Sequence, residues 1–189
     1  MSGYLTNPIV FLIHTLLGLY AAIAALRFLL QWVRADFYNP MSQFIVRVTT
    51  PVLRPLRRVV PSYAGLDLAA LVLAWLVKTI ELAAVALIAG LGNPIGALFW
   101  SIPALVTLFI NIFLFAVLIQ VILSWINPDP YNPAVKLLDR LTAPLLGPAR
   151  RLIPPVSGLD LSPMAVMIAL VILEMLLIPP LNALTGSPF

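Results

Sequence analysis

Four ionisable side chains, Arg27, Lys78, Glu81 and Glu174, stand inside long apolar stretches of a 189-residue chain. Charges in such surroundings are costly, and by default they mark a site with a partner to be found. Two carboxylates within a membrane suit a proton or small-cation path, whereas a carboxylate beside a cation suits a structural lock. Lys78 and Glu81 are three residues apart on one helix and can pair. Arg27 lies about 10 Å below Arg34 at 1.5 Å rise per residue, shallow enough for its side chain to snorkel toward the surface. Glu81 and Glu174 each stand fourteen residues past an aspartate, about 21 Å into a helix. Three arrangements are open to Glu174: a neutral carboxyl bonded to Asn111 or Gln120, an ion pair with Arg27 or Lys78 across the molecule, or a shared path with Glu81. The single His14 lies in an apolar run and reads as a hydrogen-bonded helix residue. Haem or metal ligation there lacks a second imidazole.

A second set of cations lies outside the apolar stretches. The pairs Arg57-Arg58 and Arg150-Arg151, with Arg47 and Arg140, are placed to meet anionic headgroups or an acidic protein. Their setting is written twice. At an offset of 93 residues, Trp32, Asp36, Asn39, Pro40, Arg47, Thr49, Pro51, Arg57, Arg58 and Asp67 recur as Trp125, Asp129, Asn132, Pro133, Arg140, Thr142, Pro144, Arg150, Arg151 and Asp160. Gly65, Leu66 and Leu68 recur likewise as Gly158, Leu159 and Leu161. Glu81 falls on Glu174.

The elements that must position these groups follow from composition. Hydrophobic residues make up 62% of the chain and charged ones 10%, well under the roughly 25% charged usage of soluble domains. Four stretches approach the roughly 20 apolar residues of a spanning helix: Ile9 to Val33, Leu68 to Leu91, Ala104 to Ile126 and Leu161 to Ile178. The first lacks a basic n-region and a small-residue cleavage site, so it reads as a span and not a removable signal. The expected fold is all-α and polytopic, four transmembrane helices in two tandem parallel repeats, residues 1–92 and 93–189. With two spans per unit, both copies enter the membrane in one direction, related by a pseudo-twofold axis along its normal. Nine of the eleven Lys and Arg lie between the spans of each repeat. By the positive-inside rule, the connecting motifs face the cytoplasm and both termini face the periplasm.

Within each motif, Asn39-Pro40 and Asn132-Pro133 are helix starts. Apolar residues follow at helical spacing: Met41, Phe44, Ile45 and Val48, then Ala134, Leu137, Leu138 and Leu141. Pro51 and Pro144 are expected to end these short helices after about three turns. Each helix should lie in the membrane interface, apolar face down. Trp32 and Trp125 mark the interfacial ends of their spans, and Asp67 and Asp160 suit the N-caps of the returning helices.

This order of residues, a tryptophan at the span end, N-P, T-x-P, R-R, P and G-x-D, resembles the YggT family of small bacterial membrane proteins, also called YlmG. The resemblance covers both halves and is tightest in repeat two, "SWINPDPYNPAVKLLDRLTAPLLGPARRLIPPVSGLDLSP". Repeat one departs where Gln31 replaces Ser124 and Ala69-Ala70 replace Ser162-Pro163. The resemblance implies a multi-pass inner-membrane protein without an enzymatic activity, associated with osmotic or ion stress, envelope growth and division, and, in plastids, assembly of thylakoid complexes.

The chain has no cysteine and shows no P-loop, HExxH or nucleophile elbow, so neither an enzyme nor a cofactor is expected. Net charge +4 concentrated at the membrane surface favours anionic lipid or an acidic membrane protein over nucleic acid. The leading expectation is an accessory or scaffold protein with two paired basic motifs. The rival is a small-cation or proton channel built on Glu81 and Glu174, which would need a homo-oligomer to make room for a pore.

Overall fold

A computed structural model describes residues 3–63, 65–91, 93–126, 129, 131–154 and 160–188. Gly158 and Leu159 of the second motif lie outside that set. Six helices follow in order: α1 (Gly3–Trp32), α2 (Pro40–Leu56), α3 (Leu68–Ile88), α4 (Ala97–Ile126), α5 (Pro133–Leu152) and α6 (Ser162–Thr185), with one 3-10 turn at Pro94–Gly96. Among the described residues, four helices are long and apolar enough to cross a membrane: Thr6–Trp32, Leu68–Ile88, Pro94–Ile126 and Ser162–Thr185. The protein is an all-α, multi-pass membrane fold in which each pair of spans flanks a shorter amphipathic helix.

Alanine sets the closeness of the first pair. Ala21, Ala24 and Ala25 of α1 and Ala69, Ala70 and Ala74 of α3 are fully buried against one another and against Leu53 of α2. Small side chains let two backbones approach where lipid supplies no hydrophobic drive to associate. α4 then joins the stack: Thr79 Oγ1 donates to Ser101 Oγ at 2.9 Å, beside a cluster of Leu82, Ala86, Ala97 and Trp100. That contact starts α4 at Ala97, earlier than the Ala104 expected, because the buried turn holds the helix through Pro103. α6 likewise runs past Ile178, through Pro179 and Pro180.

The pseudo-twofold is honoured only at one end. α1 packs on α4 and α2 on α5, each with its own counterpart, but α3 packs on α4 while α6 rests on α4 and α5 and has no comparable contact with α1.

α2 and α5 differ from expectation in length and facing. Both continue through their first proline, past Pro51 and Pro55 to Leu56, and past Pro144 and Pro148 to Leu152. An internal proline costs about 3 kcal/mol in a helix. Against it, the extra turns bury Leu53 and Leu146 almost completely and carry Arg57 and Arg150 to their carboxylates. The buried stripe of α2 is Ser42, Ile45, Thr49 and Leu53, whereas Met41, Phe44 and Val52 are exposed. The apolar residues of α2 thus divide between the bundle and an exposed face. α5 packs Leu137 against the Leu30, Ala35 and Ile45 cluster and Leu138 and Leu141 toward Leu29 and Ala116. The two repeats therefore meet at the motif end of the bundle as well as along the α3–α4 face.

Candidate functional site

Each repeat gathers its polar groups around a threonine. In repeat one, Arg27 of α1 donates from Nη1 to Thr49 Oγ1 at 3.0 Å and to the Val46 carbonyl at 3.3 Å, and its Nε lies 3.5 Å from Asp67 Oδ2. Arg57 Nη2 donates to the same Asp67 oxygen. Asp67 is 1% exposed and Arg27 7% exposed by side chain. Arg27 does not snorkel, then; a buried carboxylate, the Thr49 hydroxyl and the Val46 carbonyl offer it more than the surface does.

Repeat two repeats the plan with weaker parts. Gln120 stands where Arg27 does, accepts the Thr142 hydroxyl and donates to Asp139 Oδ1 at 2.8 Å. Among the described residues, Asp160 forms an ion pair only with Arg150, at 2.9 Å and with both side chains substantially exposed. Asp160 Oδ1 also accepts the Ser162 amide at 2.9 Å. Although its partial burial works against ionisation, the hydroxyl and amide of Ser162 together with Arg150 hold this carboxyl below the usual carboxylate range.

The aspartates thus act chiefly as anchors. Asp67 stands at the start of α3 without a side-chain cap, and its Oδ1 is buried with no donor. α6 begins after Leu161, and Asp160 reaches its first amide from one residue further out. The Asn-Pro starts are as expected: Asn39 accepts Met41 N–H and Asn132 accepts Ala134 N–H, both at 2.9 Å. Asn39 does more, donating from Nδ2 to the Pro133 carbonyl at 2.6 Å and so tying α2 to α5. Trp32 is half-exposed and meets Phe113 edge-on, while Trp125 is largely exposed.

The arginine pairs divide. Arg57 and Arg150, though exposed, pair with Asp67 and Asp160, and Arg47, Arg58, Arg140 and Arg151 are exposed with no ion pair among the described residues. Sequence spacing alone could not separate the two members of each pair. The ten-residue interval shared by Arg57–Asp67 and Arg150–Asp160 was the available signal, and Thr49 and Thr142 were signalled only as repeated letters.

Deeper in the first repeat, Glu81 is 2% exposed by side chain, with Lys78 Nζ at 3.0 Å and His14 Nδ1 at 2.8 Å. Gly18 faces this carboxylate: a Cβ there would sit 3.8 Å from Oε2. The Lys78–Glu81 pairing matches the sequence expectation, and His14 joins it. Glu174 does not join Glu81, Arg27 or Lys78. It is partly exposed on α6, makes no hydrogen bond or ion pair among the described residues, and its helix does not pack on α3. Gln120 is already taken by Thr142 and Asp139.

Duplicated helix–amphipathic helix–helix units, each closed by an Arg–Asp pair, define a class of two-repeat polytopic membrane protein. A family model described as CCB3/YggT matches residues 6–88 and 99–181, once per repeat. The chain therefore belongs to the CCB3/YggT family. It is 47% identical to the uncharacterized protein PA0392 of Pseudomonas aeruginosa, over 97% of this chain and 95% of that one. It is also 40% identical to an uncharacterized protein encoded in the proC 3' region of Vibrio alginolyticus, over 87% and 90% of the two chains. With the uncharacterized protein YggT of Escherichia coli K12 it shares 36% identity over 89% and 88%. No solved structure matches it.

Proposed function

We propose that this protein is a non-enzymatic accessory or scaffold protein of the bacterial inner membrane, whose two basic motifs face the cytoplasm and form one paired platform for an acidic membrane protein or anionic lipid. The observation that carries this reading is the division of labour among the arginines. One arginine of each pair is tied to an aspartate, buried in the first repeat and exposed in the second, whereas Arg58 and Arg151 beside them, with Arg47 and Arg140, are exposed and form no ion pair among the described residues. Exposed cations at the end of a membrane bundle suit recognition of negative charge. The excess of Lys and Arg in these segments supports a cytoplasmic orientation and periplasmic termini.

The test compares Arg58→Gln plus Arg151→Gln with Arg57→Gln plus Arg150→Gln in crosslinking from the membrane surface. Loss of captured partners in the first, with a folded protein, is the expected result. Undiminished capture there would sink the platform reading. The second variant should lose stability before it loses capture.

A further inference from the structure

Arg34 closes α1 with φ of 52°, and among the described residues it alone, apart from glycines, has positive φ. Its amide reaches Gln31 O at 3.1 Å, and the next amide, Ala35, reaches Leu30 O at 2.8 Å. This is a helix end closed through a left-handed residue, a place normally filled by glycine or asparagine. An arginine there brings its Cβ against a carbonyl oxygen. Such strain persists where the surroundings impose it, and it directs attention to what the side chain meets.

Arg34 lines a cleft of about 640 Å³ together with Asp36, Asn39, Lys136, Asp139 and Arg140. The walls belong to different repeats, and the bond from Asn39 to the Pro133 carbonyl fixes them together. Three cations and two carboxylates share the cleft, yet no ion pair forms between them. Asp36 accepts the Tyr38 amide at 2.8 Å, and Asp139 accepts the Gln120 amide at 2.8 Å. Lys136 lies 5.0 Å over the Tyr131 ring. The carboxylates accept from neutral amides and keep their charge, so Arg34, Lys136 and Arg140 leave the cleft with an excess of one positive charge around a volume of ligand size.

We propose that this cleft binds a phosphate-bearing anion, either the phosphodiester of a lipid headgroup or a free phosphate, through Arg34, Lys136 and Arg140. Guanidinium forks match the oxygens of a phosphate in pairs, and an ammonium adds a compact charge. The cleft's excess of one positive charge matches the single negative charge of a phosphodiester. The inference rests on the membrane-surface reading above and deepens it, because it assigns the anion to a defined seam and not to the outward Arg58 and Arg151.

The experiment uses the full-length protein in phosphatidylcholine nanodiscs and reads retention of phosphatidylglycerol by native mass spectrometry, with inorganic phosphate as competitor. Arg34→Asn with Lys136→Gln and Arg140→Gln is compared with a charge-matched variant at Arg54, Arg58 and Arg151, each changed to Gln. The cleft variant should retain at least about tenfold less phosphatidylglycerol than wild type, and far less than the outer variant. Arg34→Asn alone should be at least as heat-stable as wild type without ligand, since asparagine accepts the left-handed backbone. That single variant keeps the test valid if the triple variant folds poorly. Competition by inorganic phosphate would assign a free phosphate; retention indifferent to it would assign the headgroup. Equal losses in both triple variants would overturn the cleft and leave a diffuse basic surface, the platform reading intact. Wild-type protein that retains neither ligand would also overturn it.

Discussion

Removing the Asp67 carboxylate strands Arg27, because the remaining neighbours of that guanidinium are a hydroxyl and a carbonyl. An uncompensated buried charge costs about 3–5 kcal/mol. Asp67→Asn should therefore lower unfolding stability in detergent by about that amount. Asp160→Asn should cost at most about 1 kcal/mol, as exposed pairs do. Equal losses would mean that Arg27 is not buried as described. Arg27→Gln copies the arrangement of repeat two and should cost less than Asp67→Asn, since Asp67 keeps Arg57. Acid should act on Asp160 in a defined direction. A carboxyl held below its ordinary value of 3.8 contributes stability above that value and loses it as pH falls through the lowered one. The stability gap between wild type and Asp160→Asn should be flat above pH 3.8 and narrow only below it, a trend readable by denaturant titration.

At the scale of the elements, the two amphipathic helices share a start but not a load. Asn39→Ala removes a cap and the strut to Pro133, whereas Asn132→Ala removes a cap alone. A lost cap costs about 1 kcal/mol, so Asn132→Ala should cost about that much and Asn39→Ala about twice as much by thermal unfolding. The starts of α2 and α5 were legible because Asn-Pro acts through its own backbone. Their ends were not. A proline disfavours helix locally, but whether the chain obeys depends on what the next turns bury, and Leu53 and Arg57 find their partners on α1 and α3. The same limit hid the fate of Arg27: helix rise placed it at the right depth, but the carboxylate that holds it inside is forty residues away. Four spans, two repeats and the Lys78–Glu81 pair were readable because apolar run length, fixed offset and three-residue spacing are all local. His14 beside Glu81 was not, because it depends on how α1 and α3 are rotated toward each other.

At the scale of the whole molecule, orientation can be tested directly in a chain without cysteine. Single replacements Arg58→Cys and Ser187→Cys should react with a membrane-impermeant maleimide from opposite sides of the inner membrane, Ser187→Cys from the periplasm. Labelling of both from one side would contradict the three spans that separate them and the proposed topology. The repeats are alike in plan and unequal in firmness. Repeat one holds buried ion pairs and an alanine seam, while repeat two relies on an amide, a hydroxyl and an exposed pair.

That inequality bears on how the chain is made. Every buried charge of the first half, Arg27 with Asp67 and Arg57, and Glu81 with Lys78 and His14, finds its partner within residues 14–81. A nascent chain emerging from the ribosome could therefore neutralise its costly groups as one helical hairpin before α4 is synthesised. No charge would wait in lipid for a later segment. The finished hairpin then offers α3, through Thr79 and the Leu82 and Ala86 face, as a ready wall on which α4 can dock. On this view the N-terminal copy serves as the internal chaperone of its younger twin, and the order of the two repeats along the gene is part of how the protein reaches its fold.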